Sequence, residues 1–299
     1  MSIILDESTR VLVQGITGGE ARRFLPTMKQ YGTKIVAGTT PGKGGQHIDG
    51  IPVYNTIQEC LQTHEIDLSV LFVPARFVKQ AAFEAIQAGI KTIHILAEGV
   101  PHHDSSQIIT LAKEGNVQII GPNSQGMISP GKAKIGATGG ETPELMFTQG
   151  PLGVISRSGG MGTEVCLFLT AEGIGQSTYV AIGGDLLIGS AFVDILELFQ
   201  KDDETKCVFI FGEPGTGREE AVADFILSGN FTKPVIAMIP GDNLENSATP
   251  STFGHTGAII ERGIGVPSIK KEKLKKAGVY IAESFSEIVP LVKKVLEEI

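Results

Sequence analysis

Short β-branched runs alternate with helix-like stretches along almost the whole chain, and this pattern constrains the fold more than any other feature. In the first half the runs are "VLVQGIT", "KIVAGT", "LSVLFVP", "TIHILAE" and "VQIIGP", separated by amphipathic stretches such as 76–89 and 104–115. Runs without clean polar–apolar alternation, separated by helices, imply a parallel sheet covered on both faces. The pattern lapses from Met127 to Gly150, where "SPGKAKIGATGGETPE" is rich in Gly, Pro and Thr. It resumes with "LGVISRS", "STYVAIGGD", "CVFIFGEPG", "PVIAMIPG" and "GVYIAES", and "SEIVPLVKKVLEEI" closes the chain. The expected fold class is α/β, with two doubly wound domains over 1–126 and 151–299 and a linker over 127–150.

Composition narrows the function. The 299 residues suffice for two medium domains, and 41% hydrophobic against 19% charged residues allows a sizeable core. A net charge of −8 argues against a nucleic-acid partner but leaves room for a local basic pocket that takes a small anion. Cys60, Cys166 and Cys207 are scattered and form no CxxC pair, which points to a reducing compartment. "MSIILDESTR" lacks the pattern of a secretory signal, and no apolar run reaches membrane-spanning length. A cytoplasmic location with no membrane partner is expected, or the mitochondrial matrix if a transit peptide has been removed.

In sheets of this kind ligands sit beyond the carboxyl ends of the strands. In "VQGITGGEARRF", Thr17, Gly18, Gly19 and Glu20 set backbone N–H groups at a helix N-terminus, where a phosphate is favoured. The full GxGxxG spacing is missing, and an ordinary structural turn would explain these glycines equally well. In "TPGKGG", Lys43 stands where an NAD site carries an acidic ribose partner, so it either suits a phosphorylated ribose or is a solvated loop lysine. "SRSGGMGTE" offers a second anion site, where Ser156 and Ser158 end a strand and Gly159 and Gly160 open a helix. Glu213 in "GEPGTG" is either a helix cap or a carboxylate that accepts an imidazole Nδ1–H, leaving Nε2 as a nucleophile. His255 in "TPSTFGHTGAII" is either a bland turn residue or an imidazole that a loop presents to such a site. His102–His103–Asp104 is read as the polar first turn of a helix. No Walker A motif, HExxH or Cys/His cluster occurs, so neither a triphosphate site nor a metal site is expected in this chain.

Together these residues resemble the α subunit of succinyl-CoA synthetase along essentially the whole chain. The likeness is carried, in order, by "VQGITG", "YGTKIVAGTTPGKGG", "GPN", "VISRSG", "GQSTYVAIGGD", "DILELF", "GE" and "GHTGAII". The resemblance implies a Rossmann-like CoA-binding domain followed by a flavodoxin-like ligase domain. It also implies a β subunit with the ATP-grasp fold that holds Mg-ATP or Mg-GTP, in an αβ or α2β2 assembly. The reaction implied is carboxylate plus CoA plus nucleoside triphosphate, giving acyl-CoA, nucleoside diphosphate and phosphate. CoA would contact Thr17, Gly18, Gly19, Glu20, Lys43, Leu96, Ala97 and Glu98. His255 would be the phosphohistidine, Glu213 its carboxylate partner, and the helix start at Ser158–Gly159 a phosphoryl cradle.

Several positions depart from that family. Ser124–Gln125 replaces a Cys-Pro after "GPN", and Thr163 replaces a tyrosine in the helix after "SRSG". The segment "GDNLENSATPSTF" is longer and more acidic than its family counterpart. "KIGATGG", "SRSGGM", "AEG" and "FGH" resemble the synthetase portion of ATP-citrate lyase instead. A pocket formed by Asn123, Ser124, "SRSGGMGTE" and the partner could therefore take a hydroxy acid such as citrate or malate in place of succinate. A reading from another class is a catalytically silent CoA-binding sensor, which would leave Glu213 and His255 without a task.

Overall fold

The computed structural model of the protein describes residues 2–242, 255, 258, 260 and 265–299. The first sheet comprises β1 (Val11–Gln14), β2 (Ile35–Thr39), β3 (His47–Ile48), β4 (Ile51–Tyr54), β5 (Leu68–Leu71), β6 (Thr92–Ile95) and β7 (Gln118–Ile120). Its order is β3-β4-β2-β1-β5-β6-β7. All its pairings are parallel except the β3–β4 hairpin. Without β3 the order reads 3-2-1-4-5-6, the dinucleotide-binding arrangement whose switch point lies between β1 and β5. Every residue of β1 and of β5 is buried, as strands covered on both faces require. The flanking helices are α1 (Gly19–Gln30), the single turn α2 (Ile57–Cys60), α3 (Ala75–Gln87) and α4 (His102–Glu114). Helix α3 shows why periodicity reveals such elements, since it buries Val78, Ala81, Ala82, Ala85 and Ile86, one face at helical spacing.

The second sheet runs β14-β13-β12-β10-β11-β8-β9. Its strands are β8 (Gly126–Ser129), β9 (Ala133–Gly136), β10 (Gln149–Ser156), β11 (Gln176–Ala181), β12 (Cys207–Phe211), β13 (Val235–Met238) and β14 (Tyr280–Ile281). The five parallel strands β11-β10-β12-β13-β14 give the flavodoxin-like order 2-1-3-4-5, with its switch point between β10 and β12. Helices α5 (Gly159–Ala171), α6 (Phe192–Lys201), α7 (Arg218–Leu227), α8 (Pro267–Lys276) and α9 (Ile288–Glu297) accompany it.

The expected linker over 127–150 is corrected here. Strands β8 and β9 form an antiparallel hairpin that extends the second sheet through β11. Every residue of both strands is buried. The Gly- and Pro-rich composition of this region marks the hairpin turn and the approach to β10, and it hides four-residue strands too short to show a period. The hairpin also docks on the first half. Thr33 Oγ1 donates to Lys134 O (2.5 Å) and accepts from Lys134 N (3.1 Å), and Gly131 N donates to Tyr31 Oη (3.0 Å). Lys134 Nζ, on a buried side chain, reaches Gly140 O and Thr27 Oγ1, and burial pushes its pKa down to about 8.

Candidate active site

Two sites lie at carboxyl strand ends, one in each half. The first is a cleft of about 520 Å³ at the ends of β1, β2 and β5, with Thr17, Gly18, Thr40, Pro41, Phe72 and Phe77 among its walls. At the exit of β1, Gly15 has φ 77°, and a Cβ there would stand 2.5 Å from Phe72 O, so only glycine permits this turn. Gly18 caps α1 with no side-chain hydrogen bond, leaving the first amides of the helix open to an anion. The loop that carries Lys43 is shaped by Asn55, whose Oδ1 accepts from Gly42 N and Gly44 N at 3.0 Å each.

Thr17 and Gly18 thus line the cleft. Gly19 and Glu20 open the adjoining helix, and Lys43 is exposed on the neighbouring loop. Leu96, Ala97 and Glu98 lie beyond β6, outside the residues that line the cleft, and Ala97 O accepts from Asn123 N (2.9 Å). Sequence reasoning missed Phe72, Phe77 and Asn55. Phe77, in the first turn of α3 and 47% exposed, carries a readable signal, because an aromatic side chain open to solvent beside a strand end suits a flat ligand.

The second site gathers around His255 at the ends of β10, β11 and β12. His255 Nδ1 lies 2.6 Å from Glu213 Oε1, and both side chains are largely shielded from solvent. Glu213, just past β12, is itself positioned through its backbone, since its N–H donates to the buried Glu219 carboxylate (3.0 Å). That carboxylate pairs with the buried Lys270, which also donates to Gly215 O (2.7 Å). With Glu213 ionised, Nδ1–H donates and Nε2 keeps its lone pair. The bond to Glu213 raises the imidazole pKa above its ordinary value, with burial opposing the shift. Beneath the ring lies Gly184, where a Cβ would stand 2.3 Å from His255 Cγ. The segment 243–254, which includes most of "GDNLENSATPSTF", lies outside the described residues.

Helix α5 begins nearby. Ser158 Oγ accepts from Met161 N (3.3 Å) as a true N-cap, and Ser156 Oγ donates to Ser158 O (2.5 Å). The Ser156 hydroxyl proton is therefore spent within the fold, whereas Ser158 Oγ only accepts, so its O–H and the first-turn amides around Gly159 and Gly160 are the donors that could meet an anion. Asn123 donates to Asp185 Oδ1 (3.0 Å) from a left-handed backbone, φ 55°. Ser124 departs from expectation. It is 1% exposed, donates to Ala181 O and accepts from Gly126 N, so its hydroxyl is spent inside the protein. Thr163 Oγ1 likewise bonds Gly159 O (2.8 Å) within its own helix. Sequence reasoning missed Arg157, Gly184 and Asp185, whose partners lie far away in the chain. The three cysteines are buried, and burial pushes the Cys60 and Cys207 thiols up to about 12, which removes both as nucleophiles.

A carboxylate-oriented histidine in one half and a cleft at carboxyl strand ends in the other are features an acid–thiol ligase needs, and this chain is of that class. The chain belongs to the CoA-ligase family. A CoA binding domain matches residues 6–99 and a CoA-ligase domain residues 155–280. It is 45% identical over 298 residues to the "Succinate--CoA ligase [ADP-forming] subunit alpha 1" of Archaeoglobus fulgidus, covering 99% of each chain. It is 42% identical over 299 residues to the "ADP-forming sulfoacetate-CoA ligase subunit SqwL" of an Acholeplasma species, covering 100% of this chain and 98% of the other. Among solved structures, ATP citrate lyase from Methanothrix soehngenii in complex with citrate and coenzyme A superimposes with a TM-score of 0.91 at 27% identity. That match covers 99% of this chain and 50% of the other, so this chain spans half the length of that lyase. Among the described residues no helix is long and apolar enough to cross a membrane. Relatives such as those of Aquifex aeolicus and Staphylococcus aureus are bacterial and lend no support to a mitochondrial origin.

Proposed function

We propose that this chain is the α subunit of a nucleoside-diphosphate-forming succinate–CoA ligase that works through phosphorylated His255. The observation that carries this reading is the 2.6 Å contact from His255 Nδ1 to Glu213 Oε1, which leaves Nε2 free to react. The Nε2 lone pair attacks the γ-phosphorus of the nucleotide, the Nε2–P bond forms, and the bond to the β,γ-bridging oxygen breaks to release the diphosphate. The proton on Nδ1 stays hydrogen-bonded to Glu213 throughout, and the Glu213 carboxylate stabilises the positive charge left on the ring. The phosphoryl group then passes to the acid, because a bare carboxylate offers a thiol no good leaving group and an acyl phosphate does. The CoA sulfur attacks the acyl carbon and phosphate departs, with the amides of Gly159 and Gly160 holding its oxygens.

CoA, as substrate, occupies the Thr17–Gly18 cleft, with Gly19, Glu20 and Lys43 on its phosphates and Leu96, Ala97 and Glu98 along its path toward the second half. The nucleotide with its magnesium belongs to an ATP-grasp β subunit in an αβ or α2β2 assembly, since this sequence has no Walker A motif. The acid is read as succinate. Ser124 and Thr163 spend their hydroxyls inside the fold, which removes much of the case for a hydroxyl-rich pocket. Citrate is the second reading, favoured by the 0.91 TM-score to a lyase that binds it.

The test is to incubate the chain and its partner with γ-labelled ATP or GTP and to map the label. An acid-labile, base-stable phosphoramidate that disappears in His255→Asn is expected, and label that survives the substitution would refute the reading. Comparing kcat/KM for succinate, citrate, malate and sulfoacetate on the same complex then identifies the acid.

A further inference from the structure

We propose that Arg157 is a positioning residue of this centre, tying the Glu213 carboxylate at one strand end to the Gly184–Asp185 turn at the next. The inference rests on the phosphohistidine reading above. Strand β10 lies between β11 and β12, and Arg157 is the first residue beyond it, where the strand order reverses. From there a side chain can reach both neighbouring strand ends, and this one does. Its Nη2 donates to Gly184 O (3.1 Å) and Asp185 O (3.3 Å), past β11. Its Nε stands 3.7 Å from Glu213 Oε2, past β12.

The cost of this arrangement argues that it has a task. Arg157 is 1% exposed, and its Nε and Nη1 find no hydrogen-bond partner among the described residues, nor does Glu213 Oε2. A buried guanidinium with idle donors is expensive, and an apolar side chain of similar volume would cost the fold less. What an apolar side chain cannot supply is a clamp on the backbone beneath the imidazole, together with a positive charge behind its carboxylate. Glu213 then holds Nδ1–H with one oxygen while its other oxygen faces Arg157.

The charges around His255 are arranged by strand end. Glu213 past β12 and Asp185 past β11 favour the imidazolium, and Arg157 past β10 opposes it. Arg218, at the start of α7, interacts with Glu213 and Arg157, and its own pKa is pushed down to about 10 by burial and then by Arg157. Two cations thus stand against two carboxylates. Without Arg157, Glu213 would hold a protonated ring more firmly, and a protonated ring has no lone pair with which to attack.

The experiment uses two variants of the full chain, Arg157→Met and Arg157→Lys, and two readouts. The first readout is NMR titration of ring-labelled histidine in the chain alone, with the His255 signal assigned from His255→Asn. Arg157→Met should raise the His255 midpoint by about 0.5 unit or more, the scale expected on losing a nearby charge. Arg157→Lys should keep the midpoint within about 0.2 unit, because the charge remains although the fork is lost. The second readout is phosphorylation of His255 in the complex with the nucleotide-binding partner. Both variants should slow it about tenfold or more, as expected for a loosened nucleophile, with the CoA KM unchanged. A wild-type midpoint in Arg157→Met together with wild-type phosphorylation in Arg157→Lys overturns the proposal. Should Arg157→Met fail to fold, Arg157→Lys decides alone, and phosphorylation at the wild-type rate overturns the positioning role. Absence of phosphorylation in the wild-type complex would overturn the phosphohistidine reading instead. In that case the titration still reports whether Arg157 is coupled to His255.

Discussion

Replacing Gly184 by alanine tests how tightly the imidazole is seated. The added Cβ would stand 2.3 Å from His255 Cγ, 2.4 Å from Cδ2 and 2.5 Å from Nδ1. Ordinary carbon contacts lie at about 3.5–4.0 Å, so the ring must retreat by a little more than 1 Å. Gly184 is absent from the positive-φ positions, so its backbone tolerates a side chain and the clash falls on the ring. A misplacement of about 1 Å at a reacting group costs on the order of 100-fold in rate, or about 2.7 kcal/mol of barrier. The assay is rapid-quench phosphorylation of His255 in the complex, with thermal unfolding of each chain measured alongside. Gly217→Ala is the control, because a Cβ there meets nothing within 4 Å, and it should phosphorylate as the wild type does, with at most a small loss of stability from its place as the N-cap of α7. If Gly184→Ala phosphorylates within about threefold of the wild type, a difference below about 1 kcal/mol, the ring is not seated on Gly184 and the positional argument fails.

Other outcomes follow from the same geometry. Because Glu213 raises the His255 pKa, phosphorylation should fall as pH drops through that raised value, where the ring takes up a proton. Glu213→Gln should shift this acid limb to lower pH while lowering the plateau, which a pH series of single turnovers will reveal. Lys43→Ala should weaken CoA binding by roughly 10- to 100-fold if its charge meets a phosphate, and calorimetry on the full chain measures this. Lys134 has its folded pKa lowered to about 8, below its unfolded value of 10.5, so the unfolded chain holds the extra proton between the two. Stability should therefore rise with pH across that window, and denaturant unfolding of Lys134→Met should lose this component of the slope.

How much was legible depended on the distance over which a residue makes its contacts. Periodicity revealed the buried parallel strands and a helix such as α3, because burial on both faces or on one stripe leaves a local trace. The order of the strands left no such trace, since pairing joins segments tens of residues apart. The hairpin β8–β9 escaped because four buried residues beside Pro130 and Gly131 look like loop. His255 and Glu213, 42 residues apart, could be paired through the family resemblance alone, because only Glu213 stands just past a strand and a contact over that distance leaves no local trace. Ser124 misled, since the carbonyl that consumes its hydroxyl belongs to Ala181, 57 residues later. Arg157 was passed over within "SRSGG" because serines and glycines advertise anion binding, whereas its reach to two other strand ends appears only in three dimensions.

The passage from the first sheet to the second, residues 121–126, is sewn into both halves. His94 Nε2–H donates to Ser124 O (3.0 Å), and burial pushes its pKa down to about 4, so the ring stays neutral in that role. Asn123 N bonds Ala97 O, Ser124 N bonds Ile95 O, Gly189 N returns to Gly121 O, and Ser124 Oγ reaches Ala181 O. Although the two halves have separate sheets, they are therefore not interchangeable cassettes. A recombinant that exchanged the first 120 residues for a distant relative's would keep the backbone carbonyls at positions 95 and 97 but would leave Ser124 O without its side-chain donor wherever position 94 is not histidine. A crossover within residues 121–126 should be tolerated best when the incoming first half carries histidine at position 94.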